Sequence, residues 1–137
     1  MLRNEDLKDR AYELAEYRLR VAEEDLAVAR DNLSKNYFRA ANNRAYYSIY
    51  HSITAVLALE EKAFKRHKDT LAYFNKQYIR TKIFPCDLGH SISVAEEVRH
   101  SSDYDEFYIA SREESTKQLQ CAERLLDEVK KYLQRRK

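Results

Sequence analysis

The stretch that decides the fold is AANNRAYYSIYHSITAVLALE, residues 40–60. Between Arg44 and Glu60 it contains no Asp, Glu, Lys or Arg, although charged residues make up 35% of the chain. At about 100° per residue of α-helix, its apolar side chains point in nearly every direction. A helix that is apolar almost all round is a buried one. We therefore predict a central helix over about residues 37–62.

One stripe of this helix carries polar groups. Arg44 and His51 are seven residues apart, which is two turns or ~10 Å along one face. The other side chains on this stripe are Tyr47, Ser48, Ala55 and Ala58. The small residues among them allow another element to approach closely. Because Arg is seldom buried without a partner, the stripe is expected to meet a carboxylate, water, a ligand or another subunit.

The spacing of this pair leaves two interpretations open. In the first, Arg44 is paired with an acidic residue on a neighbouring helix, and His51 is a core histidine bonded to a carbonyl. In the second, the two side chains form a functional site. A titratable imidazole beside a permanent cation suits acid–base chemistry on a phosphate.

The segment NRAYYSIYH, residues 43–51, resembles the motif of the HEPN domain family, which is Arg, four to six residues, then His. The resemblance covers nearly the whole chain, through SKNYFRAANNRAYYSIYH, KRHKDTLAYFNKQYI, VRHSSDYD and long amphipathic segments at both ends. It is strongest to the compact stand-alone branch that is often encoded beside a minimal nucleotidyltransferase. The position after Arg44, polar in many nuclease members, is Ala45 here.

The composition indicates the fold class. The chain has one Gly and one Pro in 137 residues, whereas sheets and hairpins need turn residues at short intervals. We predict an all-α fold, an up-and-down antiparallel bundle of four to five helices with long first and last helices. Residues 1–137 are expected to form a single HEPN-like helical domain.

Hydrophobic spacing places the remaining helices. The first is predicted from about Asn4 to Leu33, because apolar residues recur there at steps of three and four. A third is predicted over residues 67–80 and a fourth over residues 86–99. Residues 100–103 are expected to form a turn, with Asp103 as the N-cap of a last helix over residues 104–135.

The net charge of +2 does not by itself indicate a nucleic-acid-binding protein. Basic residues are nevertheless concentrated in one part of the chain, and local positive potential attracts phosphate. These residues are Lys62, Lys65, Arg66, Lys68, Lys76, Arg80 and Lys82. The two cysteines form no CxxC pair, and no run is apolar enough for a membrane span. We expect a cytoplasmic protein that does not bind a membrane.

Few other side chains suggest chemistry. A single glycine excludes a P-loop or a dinucleotide fingerprint. Cys86 and His90 are four residues apart, but two ligands do not make a metal site, so neither a metal nor another cofactor is expected. The candidate site is therefore catalytic Arg44 and His51. The residues expected to bind RNA or support the site are Tyr47, Asn43, Ser48, His67 and Lys68.

The family resemblance implies a metal-independent endoribonuclease, the toxin of a toxin–antitoxin pair with a nucleotidyltransferase as antitoxin. It also implies a homodimer through the central-helix face, in which two copies of the motif share one cleft. The single His of the motif does not easily serve both ends of the reaction, whereas the motif histidines of two chains do. The alternative is a non-catalytic helical module that binds nucleotides or the partner nucleotidyltransferase. A purely structural bundle, with Arg44 in an ion pair, also stays open.

Overall fold

The predicted central segment lies at the centre of the fold in the computed structural model, which describes residues 3–137. Helix α2 spans Phe38–Ala58, and 12 of its 21 residues are buried. It packs against each of the other helices. These are α1 (Asn4–Ser34), α3 (His67–Phe74), α4 (Asp87–Tyr104) and α5 (Arg112–Arg136), with a π-helical turn, Asn75–Ile79, extending α3. The predicted all-α class is confirmed, since residues 3–137 contain five helices and no strand.

The two long helices are antiparallel and pack together, as predicted. The hydroxyl of Tyr12 near the start of α1 donates to the carbonyl of Leu133 near the end of α5. Further along, Arg30 of α1 pairs with Glu123 of α5, so the two helices run in opposite directions.

Helix α1 lies close to α2 because its inner face is made of alanines. Ala15, Ala22 and Ala29, seven residues apart, are all fully buried. The hydroxyl of Ser48 on α2 donates to the carbonyl of Ala22 at 2.8 Å. Small side chains on both helices thus allow the close approach that the stripe on α2 predicts, and the element that approaches is α1.

Several helix ends are formed without glycine. Helix α2 stops at Ala58, a few residues before the predicted end, and Glu61 takes a left-handed conformation with φ of 56°. The amide of Lys62 then donates to the carbonyl of Leu57, which closes the helix end. Asn36 and Lys82 adopt similar φ values of 65°. Because none of these residues is Gly, the sequence gives little indication of where the helix ends.

The turn predicted at residues 100–103 is wrong. Helix α4 continues to Tyr104, and Ser102 is buried with its hydroxyl donating to the carbonyl of Val98 one turn earlier. Arg99 and Asp103, four residues apart, form an ion pair that also favours the helix. The N-cap of α5 is Ser111, not Asp103, since its hydroxyl accepts a bond from the amide of Glu114.

The connection between α4 and α5 is held by Arg39 of α2. Its guanidinium donates to the carbonyls of Ser102 at 2.8 Å and Asp105 at 3.1 Å, and also to that of Tyr108.

Across residues 3–137, no helix combines the length and the apolar character needed to cross a membrane.

Candidate active site

The candidate site is organised by a carboxylate of α1 that contacts both polar residues of the α2 stripe. Arg44 Nη1 lies 3.1 Å from Asp25 Oδ1, and His51 Nδ1 lies 2.7 Å from Asp25 Oδ2. The side chain of Asp25 is 11% exposed, whereas those of Arg44 and His51 are 35% and 31% exposed. The carboxylate is therefore buried, while the cation and the imidazole reach solvent.

This ion pair confirms the first sequence interpretation for Arg44, which predicts an acidic partner on a neighbouring helix. The partner that it gave to His51 is wrong, because Nδ1 bonds to a carboxylate and not to a carbonyl. Since a carboxylate accepts, Nδ1 carries the hydrogen, and in the neutral ring Nε2 keeps its lone pair. No hydrogen bond joins Nε2 to any residue in the range 3–137.

Arg44 is also held from the other side. Its Nε atom donates to Asn43 Oδ1 at 3.0 Å, and Asn43 Nδ2 donates to Asp103 Oδ2 at 2.9 Å on α4. Asp103 in turn pairs with Arg99 at 3.6 Å. The guanidinium is therefore oriented by carboxylates of two helices, one directly and one through Asn43.

Tyr47 lies between the two polar side chains. The Arg44 guanidinium is 4.9 Å from the centroid of its ring, and the His51 ring is 6.1 Å away, centroid to centroid. Tyr47 is half-buried, so part of its ring is available at the surface. A partly exposed aromatic face beside a cation is suited to stacking on a base.

Two neighbouring positions face the interior. Ser48 is fully buried and bonded to α1, so it contributes to packing between the helices. Ala45 is fully buried as well. Because Ala45 faces the interior, a polar side chain at this position would not lie on the exposed face that carries Arg44 and His51.

The first residue of α3, His67, also contacts this face of α2. Its Nδ1 atom lies 3.0 Å from the hydroxyl of Tyr46, and its ring stacks on Tyr50 at 3.9 Å. Burial lowers the pKa of His67, and the charges of Arg99 and His51 act in the same direction. Burial also raises the pKa of Tyr46 to about 12, against the opposing effect of Arg99. His67 is thus brought beside the predicted pair, while Lys68 next to it is exposed.

His51 also lines a cavity of about 250 Å³. Its lining includes Arg18, Tyr50, Thr54 and Lys62, which supply two cations, an aromatic ring and a hydroxyl. Arg18 donates to the carbonyl of Thr54 at 3.3 Å. The imidazole is therefore flanked by groups suited to a nucleotide. Residues 3–137 bring no three His, Cys, Asp or Glu side chains together as a metal site.

The residues that the motif alone does not reveal are Asp25, Arg99 and Asp103. The one signal for Asp25 is its position beside Leu26 and between Ala22 and Ala29, on the apolar face of α1. A carboxylate on such a face needs a buried partner. Arg99 and Asp103 were hidden by the wrong turn prediction, which separated them onto different elements.

Fold and site together define an all-α domain whose central helix carries an Arg-x6-His pair. A family model described as "HEPN domain" matches residues 15–132. The chain belongs to the HEPN domain family.

Similar proteins occur in a bacterium and an archaeon. A "UPF0332 protein" of Thermotoga maritima is 29% identical over 88% of this chain and 92% of its own. A Methanocaldococcus jannaschii protein named "Putative toxin MJ0142" is 30% identical over 82% of this chain and 76% of its own. A second protein of that archaeon, "Putative toxin MJ0605", is 28% identical over 96% and 95% respectively.

Proposed function

We propose that this chain is a metal-independent endoribonuclease of HEPN type and the toxin of a toxin–antitoxin pair. The observation that carries the proposal is the Asp25 carboxylate bound to both Arg44 and His51. A buried carboxylate fixes the tautomer of the imidazole, and both partners still reach solvent. The names of the two archaeal relatives support the toxin role.

The chemistry follows from the free Nε2 atom of His51. As a general base, Nε2 takes the proton of a ribose 2′-hydroxyl, and the 2′-oxygen attacks the adjacent phosphorus. Asp25 stabilises the imidazolium that forms. Arg44 binds the phosphate and stabilises the charge that builds on its oxygens. The bond from phosphorus to the 5′-oxygen breaks and that oxygen takes up a proton, so the products are a 2′,3′-cyclic phosphate and a free 5′-hydroxyl.

The protein acts as a homodimer through the exposed face of α2, which places two copies of the site in one cleft. Asn43, Tyr47, His67 and Lys68 contact the RNA around the scissile phosphate. The partly exposed edge formed by Arg44, Tyr47 and His51 supports this arrangement. The antitoxin is a nucleotidyltransferase, as in the branch of the family that the sequence resembles.

The second candidate is a non-catalytic module that binds nucleotides or the partner nucleotidyltransferase. One observation favours it: Arg44 already donates to Asp25 through Nη1 and to Asn43 through Nε. An arginine engaged in this way has fewer donors left for a phosphate. The cavity beside His51 would serve a bound nucleotide without any cleavage.

Purified protein incubated with total cellular RNA and tRNA in EDTA tests the proposal. Cleavage by the wild type, its loss in His51→Ala, and 2′,3′-cyclic phosphate ends are the expected results. Absence of cleavage by a folded, dimeric wild type would overturn the nuclease proposal. Nucleotide binding by both proteins, measured by calorimetry, would then support the binding module.

A further inference from the structure

Two histidines from different helices flank the same tyrosines of α2. The ring of His51 lies 6.1 Å from Tyr47 and 6.0 Å from Tyr50, centroid to centroid. The ring of His67, from α3, lies 5.8 Å from Tyr47 and 3.9 Å from Tyr50. One chain therefore places two imidazoles beside the same two tyrosines, although the central helix carries a single His.

The ring of His67 is held in a defined orientation. Tyr46 bonds to Nδ1 at 3.0 Å, and the stack on Tyr50 has an interplanar angle of 22°. Across the described chain, Nε2 of His67 makes no hydrogen bond. Each imidazole thus uses Nδ1 to bind the protein and has Nε2 available for a substrate.

The surroundings of His67 oppose its protonation, whereas His51 faces a carboxylate. Titratable and charged groups lie around His67 on three helices. On α2 they are Tyr46, Tyr47, Tyr50 and His51, and the cavity beside His67 adds Lys68 of α3 and Glu96, Glu97, Arg99 and His100 of α4. Burial lowers the pKa of His67, and the charges of Arg99 and His51 lower it further. His51, by contrast, faces the Asp25 carboxylate. An imidazole that holds its proton weakly is the better donor once protonated, although fewer molecules carry that proton at neutral pH.

We propose that His67 is the general acid of RNA cleavage and donates the proton on Nε2 to the leaving 5′-oxygen. This assignment rests on the proposed function. His51 accepts the proton of the 2′-hydroxyl as the bond from the 2′-oxygen to phosphorus forms. The bond from phosphorus to the 5′-oxygen breaks, and the proton of the His67 imidazolium passes to that oxygen. Proton exchange with water then restores both rings.

This assignment gives both ends of the reaction to one chain. The partner's copy of the site then need not supply the acid. The stack on Tyr50 and the bond to Tyr46 position His67 for this step.

A leaving-group substitution tests the acid directly. Once the cleavage site is mapped with the wild type, two RNA oligonucleotides of the same sequence are compared. One is natural, and the other has sulfur in place of the bridging 5′-oxygen at the scissile phosphate. A thiolate leaves without a proton, so it makes a general acid unnecessary.

For His67→Gln we expect a loss of about 10²- to 10⁴-fold on natural RNA and near-wild-type cleavage of the sulfur-containing RNA. His51→Gln is expected to lose cleavage of both. His90→Gln, which replaces an exposed histidine of α4, is the matched control and should cleave both normally. Wild-type cleavage of natural RNA should decline on the alkaline side, and this decline should be absent with the sulfur-containing RNA.

Two results would overturn the assignment. Equal loss on both RNAs, in a variant with wild-type circular dichroism and dimerisation, would make His67 a residue that positions the site. Full cleavage of natural RNA by His67→Gln would place the acid elsewhere, such as on the second protomer. Failure of the proposed function is distinguishable from both, because the wild type would then cleave neither RNA.

Discussion

His51 Nδ1 and Asp25 Oδ2 are 2.7 Å apart, and they join the motif helix to the first helix of the bundle. In Asp25→Asn the neutral amide keeps the shape of the carboxylate but loses its charge. It also no longer fixes the hydrogen of His51 on Nδ1. We expect RNA cleavage to fall by about 10²- to 10⁴-fold, within the range of general acid–base catalysis. Initial rates on the mapped RNA measure this effect.

Measuring the stability of Asp25→Asn separates a loss of catalysis from a loss of folding. Loss of charge-assisted bonds is expected to lower the free energy of unfolding by about 1–3 kcal/mol, measured by urea denaturation. Glu24→Gln, at an exposed position next in the chain, should leave both activity and stability nearly unchanged. Cleavage by Asp25→Asn at the wild-type rate would show that the carboxylate has no part in the reaction.

Two buried serines of α2, Ser48 and Ser52, are expected to affect stability but not RNA cleavage. Both are fully buried, but Ser48 donates to Ala22 while the hydroxyl of Ser52 has no partner among residues 3–137. Ser48→Ala should therefore cost about 1 kcal/mol of unfolding free energy, and Ser52→Ala should be neutral or stabilising. Denaturant titrations compare the two. Neither change should alter RNA cleavage, and a selective loss in Ser48→Ala would return that residue to the site.

The sequence predicts only the part of the site that lies on a single helix. Arg44 and His51 are visible because a helix of known period puts both on one stripe. Asp25 is 19 residues from Arg44 in the chain, and only the packing of α1 on α2 makes it a partner. Helical periodicity indicates which face is buried, but not which side chains of two faces meet.

The same limit explains the errors at the helix ends. Gly, Pro and polar residues are the usual sequence signals of a helix end, whereas α2 is followed by a left-handed Glu61. The sequence His100 to Asp103 has the composition of a turn, yet Ser102 bonds back into α4 and Asn42 donates to it at 3.0 Å. A tertiary contact thus overrides a local preference. The pattern of Ser111 followed by Glu114 was a readable signal for the start of α5.

Gly89 of α4 packs against the π-helical turn that follows α3. A Cβ atom there would lie 3.0 Å from Ile79 Cγ2 and 3.1 Å from Asn75 Oδ1. Gly89→Ala gains about 1 kcal/mol of helix propensity but overpacks this contact, which costs about 1–3 kcal/mol. We expect a net loss of stability of about 1 kcal/mol by thermal denaturation. Ser93→Ala, an exposed position one turn later, should instead be neutral or stabilising, and a stabilised Gly89→Ala would contradict the tight contact.

The two cysteines are expected to differ in reactivity. Cys121 is buried in α5, and burial raises the pKa of its thiol to about 11, whereas Cys86 is exposed. At pH 8 a thiol with that pKa is about one part in a thousand thiolate, the reactive form. Native protein should therefore take up one equivalent of iodoacetamide rapidly and a second only in urea, as followed by mass spectrometry. Rapid labelling of native Cys86→Ser would show that Cys121 is accessible.

His67 should make stability depend on pH in a defined direction. Its pKa is lowered in the folded protein by burial, Arg99 and His51, so the unfolded chain binds a proton more readily. The contribution is fully present above the ordinary His pKa of about 6.5 and is lost as the pH falls from there towards the folded value. Urea denaturation between pH 8 and pH 5 should show a smaller loss in His67→Gln than in the wild type. His90→Gln is the matched control and should follow the wild type. Equal pH dependence in all three proteins would contradict the prediction, because it would show that His67 protonates as easily in the folded state as in the unfolded chain.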